Sequence, residues 1–354
     1  MESSPKQACE GMSTQRKTSR GSELILASAS DTEPPPQASD DLSLGPRIEG
    51  MIRDSLTIEI EDAKQSGMLG YMSRSLVQAT LPHTDPKCSH YERTSGIVTL
   101  SITGRPSVGI PYGSLPRTLL AWICSEAVRT KSRELDLGRS QTEFLQKMGL
   151  GTGGSYTRPL KDQAHRLFSS LITVTSSNDS NVGLGNTVIA KNARLFWNAR
   201  NPDERSLWDS VLTLTADFFE DVTTAPVPID LRVLHQLKKS PLSMDIYTWA
   251  CYRQFLMKAK GQGIVRIPWA ALQAQFGSGY GHSHDALARL EGVKERQAKE
   301  KQALWNFKHN FVKRLNEVGI FYPELIEGIS DCSKFLTMKS VKLHVPPQFI
   351  GQSV

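Results

Sequence analysis

The chain has 354 residues, 39% of them hydrophobic, and its 42 Lys and Arg against 36 Asp and Glu give a formal net charge of +6, a length that suits two or three compact units. Residues 1–50 hold five basic and eight acidic side chains, so a tail of −3 precedes a body of +9, and a basic body favours a polyanionic partner, nucleic acid ahead of a membrane. There is no signal-peptide core, no run near the ~20 apolar residues of a membrane span and no CxxC pair among five scattered cysteines, so we expect a cytoplasmic protein with reduced thiols and no membrane role.

In chain order, residues 1–50 mix Ser, Thr, Gln and charged side chains around Pro34-Pro35-Pro36, too little apolar surface to offset the entropy of ordering, and read as a disordered tail. Leu56 to Ala79 reads as a helical stretch broken near Gly67 and Gly70. The β-branched alternation from Ile97 to Thr103 predicts a strand, ended by Pro111 and Gly113. Ser114 as N-cap, Pro116 in the first turn and Leu115, Leu119, Trp122, Ile123 and Ala127 at helical spacing predict a helix to about Lys131. Glu134 to Leu137 reads as a brief strand. Ser140-Gln141-Thr142-Glu143 is a capping box opening a short helix that stops at Gly149. A third helix, about Tyr156 to Leu171, turns Leu160, Ala164, Leu167 and Leu171 inward, and a hairpin through Ile172–Thr175 and Thr187–Ala190 follows. Helix, strand, helix, helix, hairpin is the order of a winged helix.

The order repeats. Pro241 to Lys258 is a helix with Leu242, Ile246, Trp249, Ala250 and Phe255 as its buried side; Ile264–Ile267 is a strand and Trp269–Phe276 a short helix. A glycine-bearing loop leads to a long helix, roughly Leu287 to Val318, whose Leu304, Phe307, Phe311, Leu315 and Val318 form a core stripe. A turn from Gly328 to Ser333 and a strand from Phe335 to Val345 give the wing. The expected fold is α+β, mainly α: a disordered tail (1–50) and tandem winged-helix domains (51–210 and 211–354), the β-rich Val211 to Ile229 connecting them.

The segments IPYGSLPRTLLAWICSEAVRTKSREL (Ile110 to Leu135), FLQKMGL (Phe144 to Leu150) and GGSYTRPLKDQAHRLFSSLI (Gly153 to Ile172) resemble the RepA family of plasmid replication initiators. Looser similarity runs through PLSMDIYTWACYRQFL (Pro241 to Leu256), RIPWAALQAQFG (Arg266 to Gly277) and FKHNFVKRLNEV (Phe307 to Val318). The resemblance implies sequence-specific binding of double-stranded DNA at repeated origin sites (iterons), opening of the adjacent duplex and recruitment of host replication machinery, including the replicative helicase and the host initiator. It also implies a monomer/homodimer switch. The alternative is a winged-helix transcriptional repressor without a role at an origin.

In a winged helix the third helix enters the major groove, base edges supplying specificity and phosphates register. In the C-terminal unit the face opposite the core stripe carries Gln302, Asn306, His309, Asn310, Lys313 and Arg314, amide and guanidinium types that pair with adenine and guanine edges. Lys334, Lys339 and Lys342 flank or lie in the wing and suit phosphates. Thr157, Arg158, Lys161 and Arg166 are the corresponding candidates in the N-terminal unit. Against them stands a merely solvated basic face, and for Arg129, Lys131 and Arg133 a helix-end complement to the dipole.

Three motifs are set aside. Gly149-Leu150-Gly151-Thr152-Gly153-Gly154 satisfies GxGxxG but follows a helix rather than a strand. His282-Ser283-His284, compared with the metal-holding His-hydrophobic-His strand of nicking initiators, has a polar middle residue among glycines. His83, Cys88 and His90 lack a fourth zinc ligand at regular spacing. There is no P-loop, and the expectation is a non-enzyme without cofactor or metal.

Overall fold

The computed structural model describes residues 47, 51, 63–78, 80–95, 98–178, 181–195, 197–198, 200–206, 210–277 and 293–346, all within a unit spanning Ala38–Val354. Apart from Arg47, the expected tail lies outside the described residues, as do His282 and His284. The fold is mixed α and β, and no helix among the described residues is long and apolar enough to cross a membrane.

The first elements depart from expectation. Where one broken helix was expected, strand β1 (Leu69–Met72) and a short helix α1 (Arg74–Gln78) stand. Gly70 sits beside Leu231, 2.5 Å from where a Cβ would lie, and β1 pairs with β9 (Val227–Asp230), Leu69 opposite Asp230. Strands β2 (His90–Ser95) and β3 (Val98–Thr103) form a hairpin. Helix α2 (Ser114–Thr130) has Gly113 rather than Ser114 at its N-cap and buries Leu119, Leu120, Ile123, Cys124 and Ala127. After β4 (Glu134–Gly138), α3 (Gln141–Lys147) is capped by Ser140, whose Oγ accepts from the Glu143 N–H at 3.1 Å, while the Glu143 carboxylate reaches one residue past the N-cap and accepts from the Arg139 N–H at 3.1 Å. Gly149 closes this helix at φ 66, where a Cβ would meet the His235 ring at 2.6 Å, so both conformation and space require glycine. Helix α4 (Gly154–Ser169) follows directly.

The hairpin after α4 is β5 (Leu171–Asn178) and β6 (Asn181–Thr187), and it does not serve β4. It extends the β2–β3 hairpin into a four-stranded antiparallel sheet of order β2-β3-β5-β6, in which the buried Ile102 and Ile172 stand opposite one another. Strand β4 pairs instead with β8 (Ser210–Leu214), which pairs in turn with β7 (Ala190–Arg194); Leu212 lies between Leu135 and Ala193. The stretch expected to connect the two halves therefore begins as the central strand of the N-terminal sheet, past residue 210. Helix α5 (Ala216–Thr224), β9, α6 (Leu231–Gln236) and a 3-10 turn (Leu237–Lys239) complete the passage.

Helix α7 (Pro241–Ala259) starts with Ser240 accepting from the Ser243 N–H at 3.2 Å and Pro241 in its first turn. The expected apolar side holds except for Phe255, which is 37% exposed; Met244, Tyr247, Cys251 and the polar Ser243, Asp245 and Gln254 are also buried. The helix is covered nearly all round because α1 and α2 pack on it from one half and α9 (Val293–Gly319) from the other. Strand β10 (Ile264–Pro268) and α8 (Trp269–Phe276) follow, and after α9 come α10 (Pro323–Glu327), β11 (Ile329–Asp331) and β12 (Phe335–Lys339) in a sheet of order β10-β12-β11. Trp249, Trp269, Phe276, Phe307 and Phe311 close the core with edge-on or tilted ring contacts of 5.5 to 6.4 Å. Such aromatic pairs each add ~0.5–1.5 kcal/mol beyond burial.

Candidate nucleic-acid interface

The sequence of α9 decides which of its sides is free. Phe307, Phe311, Leu315 and Val318 are fully buried. At 3.6 residues per turn, Gln302, Trp305, Asn306, His309 and Lys313 then lie within about 60° of the opposite direction, and all five are exposed. Gln302 Nε2 donates to Asn306 Oδ1 at 3.0 Å, aligning two amides on this face. The His309 ring stacks on Trp305 at 5.7 Å with planes 10° apart. From Lys301 to Asn316 the sequence has no Asp or Glu, and Glu317, the next acid, is buried between Arg47 at 3.1 Å and Arg314 at 2.6 Å. With Lys313 as its formal cation and no carboxylate beside it, this face is positive rather than neutral towards solvent.

Not every candidate on α9 joins that face. Asn310 is half-buried, and Arg314 is bound to Glu317, whose Oε2 also accepts from Ser243 Oγ at 2.9 Å. Lys308, which sequence reasoning passed over, has its ammonium 2.6 Å from Asp331, 2.9 Å from the Cys332 carbonyl oxygen and 5.1 Å above the Trp269 ring. It fastens α9 to the turn between β11 and β12. Lys334 is exposed in that turn, Lys339 is exposed at the end of β12, and Lys342 is exposed beyond it, 4.0 Å from Glu324. The backbone N–H groups of Lys334 and Phe335 hold the exposed Cys332 thiol below its ordinary range, whereas burial pushes Cys124 and Cys251 up to about 12.

In the N-terminal half Thr157 is buried, its carbonyl accepting from Gln141 Nε2, so its side chain is not on the surface. Arg158 is exposed. Lys161 Nζ donates to the Trp197 carbonyl at 2.9 Å. Arg166 bonds Asp162 at 2.9 Å and lies 5.3 Å over the Tyr112 ring. A shallow groove beside the start of α4 is lined by Tyr112, Tyr156, Arg158, Lys238 and Lys239, with the Lys238 ammonium 5.4 Å over Tyr156. Among the helix-end cations, Arg129 pairs with Glu126, Lys131 is the left-handed cap of α2, and Arg133 donates to the Leu214 carbonyl.

A buried ionic cluster ties the halves and sets how their helices are held. Arg117 on α2, 4% exposed, grips Asp245 on α7 through two N–H···O bonds of 2.7 Å. Its remaining donors go to the carbonyls of Leu81, Pro82 and Gly113 at 2.6, 3.3 and 2.7 Å. His83 Nε2 lies 2.8 Å from the second Asp245 oxygen, while His90 turns away to Thr103 at 3.1 Å. Burial works to raise the Asp245 carboxyl, but the Arg117 charge and the His83 bond outweigh it and hold the group below the carboxylate range. Burial likewise pushes His83 below its ordinary value, against the pull of Asp245.

The class that emerges is an α+β protein whose long C-terminal helix shows solvent a cationic, amide-bearing face beside a basic strand turn. Residues 110–270 match the family model described as plasmid encoded RepA protein, so the resemblance read from the sequence is borne out over that stretch. No curated protein matches the chain. Two solved structures are similar to the chain: domains 2 and 3 of RctB as a selenomethionine derivative, at 12% identity and TM-score 0.43, and RctB domains 2-3, at 13% and 0.42. Each covers 75% of this chain and 96% of the other.

Proposed function

We propose that this protein is a plasmid replication initiator that binds duplex DNA at repeated origin sites through two winged helices. The observation that carries the reading is the match of residues 110–270 to plasmid-encoded RepA protein, joined to the carboxylate-free exposed face of α9. The runs α2-β4-α3-α4 and α7-β10-α8-α9 support the winged-helix assignment, because β4 and β10 each pair with a later antiparallel hairpin, β7–β8 after the intervening β5 and β6 and β11–β12 after α10, and these hairpins are the wings of this reading. In this reading Gln302, Asn306 and His309 read base edges, with the half-buried Asn310 at the margin of the face, while Lys313, Lys334, Lys339 and Lys342 meet phosphates. Arg158 and the nearby Lys238 and Lys239 give the N-terminal unit its phosphate contacts. Several bound copies then supply the interaction energy that opens the neighbouring duplex, and the host helicase is recruited to it. Exchange between dimer and monomer sets how many copies engage.

Gel shifts on duplexes bearing the origin repeats, and on random duplex, at several salt concentrations test this. Lys313→Ala should weaken binding to both DNAs and flatten the log–log salt slope by about 0.9. Asn306→Ala should narrow the gap between repeat and random DNA, by ~1–3 kcal/mol if one base contact is lost, and leave the slope intact. Equal binding of the unaltered chain to both DNAs refutes the proposal.

A further inference from the structure

Trp305 is the most exposed large apolar side chain among the described residues, at 62%, yet it stands in the middle of a helix whose Phe307 and Phe311 are wholly buried. One face of its indole is covered by His309, stacked at 5.7 Å with planes 10° apart. The rest of the indole is exposed, beside the Gln302–Asn306 amide pair one turn back and one residue on, with Lys313 two turns further along the same side of the helix. We infer that Trp305, backed by His309, is a specificity-determining residue that reads thymine in the major groove by apolar contact with its 5-methyl group. The inference rests on the reading of α9 as the DNA-contacting helix.

The charge, shape and neighbours of Trp305 select this occupant. The face holds the Lys313 cation and no carboxylate between Lys301 and Asn316, beside the exposed Lys334 and Lys339 of the strand turn, which suits a polyanion better than an apolar protein surface. In the major groove the thymine methyl is the one apolar feature among donors and acceptors, and it distinguishes thymine from every other base. His309 lies alongside part of one ring face and holds the indole in place on the helix, while its edge and remaining face suit a methyl group. The adjacent amides are the types that bond adenine edges, so a single turn of α9 is equipped for an adenine and a thymine together.

The full chain is used to select duplexes from a random-sequence pool, and each thymine of the selected site is then replaced singly by deoxyuridine, which removes only the methyl group. The expected result is at least one position where deoxyuridine weakens binding about fourfold, the equivalent of one buried methylene-sized group. Trp305→Ala should bind the thymine and deoxyuridine duplexes alike at that position, with an unchanged salt slope and melting temperature, and Trp305→Phe should keep most of the discrimination. Retention of the full effect in Trp305→Ala, or no sensitive thymine at all, overturns the inference while leaving DNA binding by α9 standing. A loss in Trp305→Ala confined to single-stranded oligonucleotides also overturns it, in favour of stacking on an unpaired base. Failure to select any sequence overturns base reading by this protein, and this inference with it.

Discussion

Replacing Asp245 by asparagine removes one charge from the centre of the molecule and almost no volume. In the native protein the Arg117 guanidinium is 4% exposed, with two 2.7 Å bonds to the carboxylate and three carbonyl oxygens around its other N–H groups. Asp245→Asn leaves those carbonyls in place but strips the counter-charge, and the new amide brings donors where His83 and Arg117 point donors of their own. Removing one partner of a buried ion pair costs ~3–5 kcal/mol; with the carbonyls still satisfying half of the guanidinium, about 3 kcal/mol is expected here. Against a total of roughly 5–15 kcal/mol for a native protein, that is a large fraction. Urea unfolding at pH 7, followed by tryptophan fluorescence, measures it. The double variant Arg117→Met, Asp245→Leu should recover only part of the loss, since it removes both buried charges but takes the Arg117 donors from the Leu81, Pro82 and Gly113 carbonyls and the acceptor from His83. A single-variant loss under ~1 kcal/mol, or strict additivity in the double-mutant cycle, refutes the claim that this pair joins α2 to α7.

Acidification should destabilise the protein before any carboxylate is reached. Burial holds His83, His235 and His344 below the ordinary imidazole value of 6.5, so just under that pH the unfolded chain binds more protons than the folded one, and stability present above it is lost as pH falls through the folded values. The melting temperature should drop from pH 7 to pH 5, and His344→Gln should flatten the drop; a melting temperature independent of pH across this range contradicts the assignment. Phe311→Ala, which empties a fully buried site touching Trp249, Trp269, Phe276 and Phe307, should cost ~3–5 kcal/mol by urea unfolding.

How far the molecule could be read in advance depended on whether the signal was local. Helical period, the Ser140 capping box and the Pro241 start are written within a few residues, and α3, α7 and α8 stand where those signals put them. Strand partners are not local. The run Ile172–Thr175 is as fit to pair with β3 as with β4, and only the neighbour of Ile172 across the sheet, Ile102, decides between them. Leu135 meets Leu212 across 77 positions of sequence, a pairing that no window contains. The helical reading of Leu56 to Ala79 failed for the same reason at Leu69–Met72: the strand exists because β9 lies alongside it.

The site shows the same division at the level of single side chains. A cation on a helix reads in sequence as a solvated or DNA-facing group, and Arg117, Lys308 and Arg314 are each instead committed to an acid far along the chain or beneath the helix: Asp245, Asp331 and Glu317. Formal charge therefore overstates the field that α9 offers, because Lys308 and Arg314 are neutralised locally and Lys313 is not committed in the same way. Trp305 carried a readable signal that hydrophobicity alone obscures. It is one residue out of phase with the stripe Leu304, Phe307, Phe311 and Leu315, so about 100° of helical rotation takes it out of the core. An indole placed there, beside aligned amides and stacked on His309, gains less from folding than the stripe residues do, and what it leaves exposed is available to whatever the free face meets.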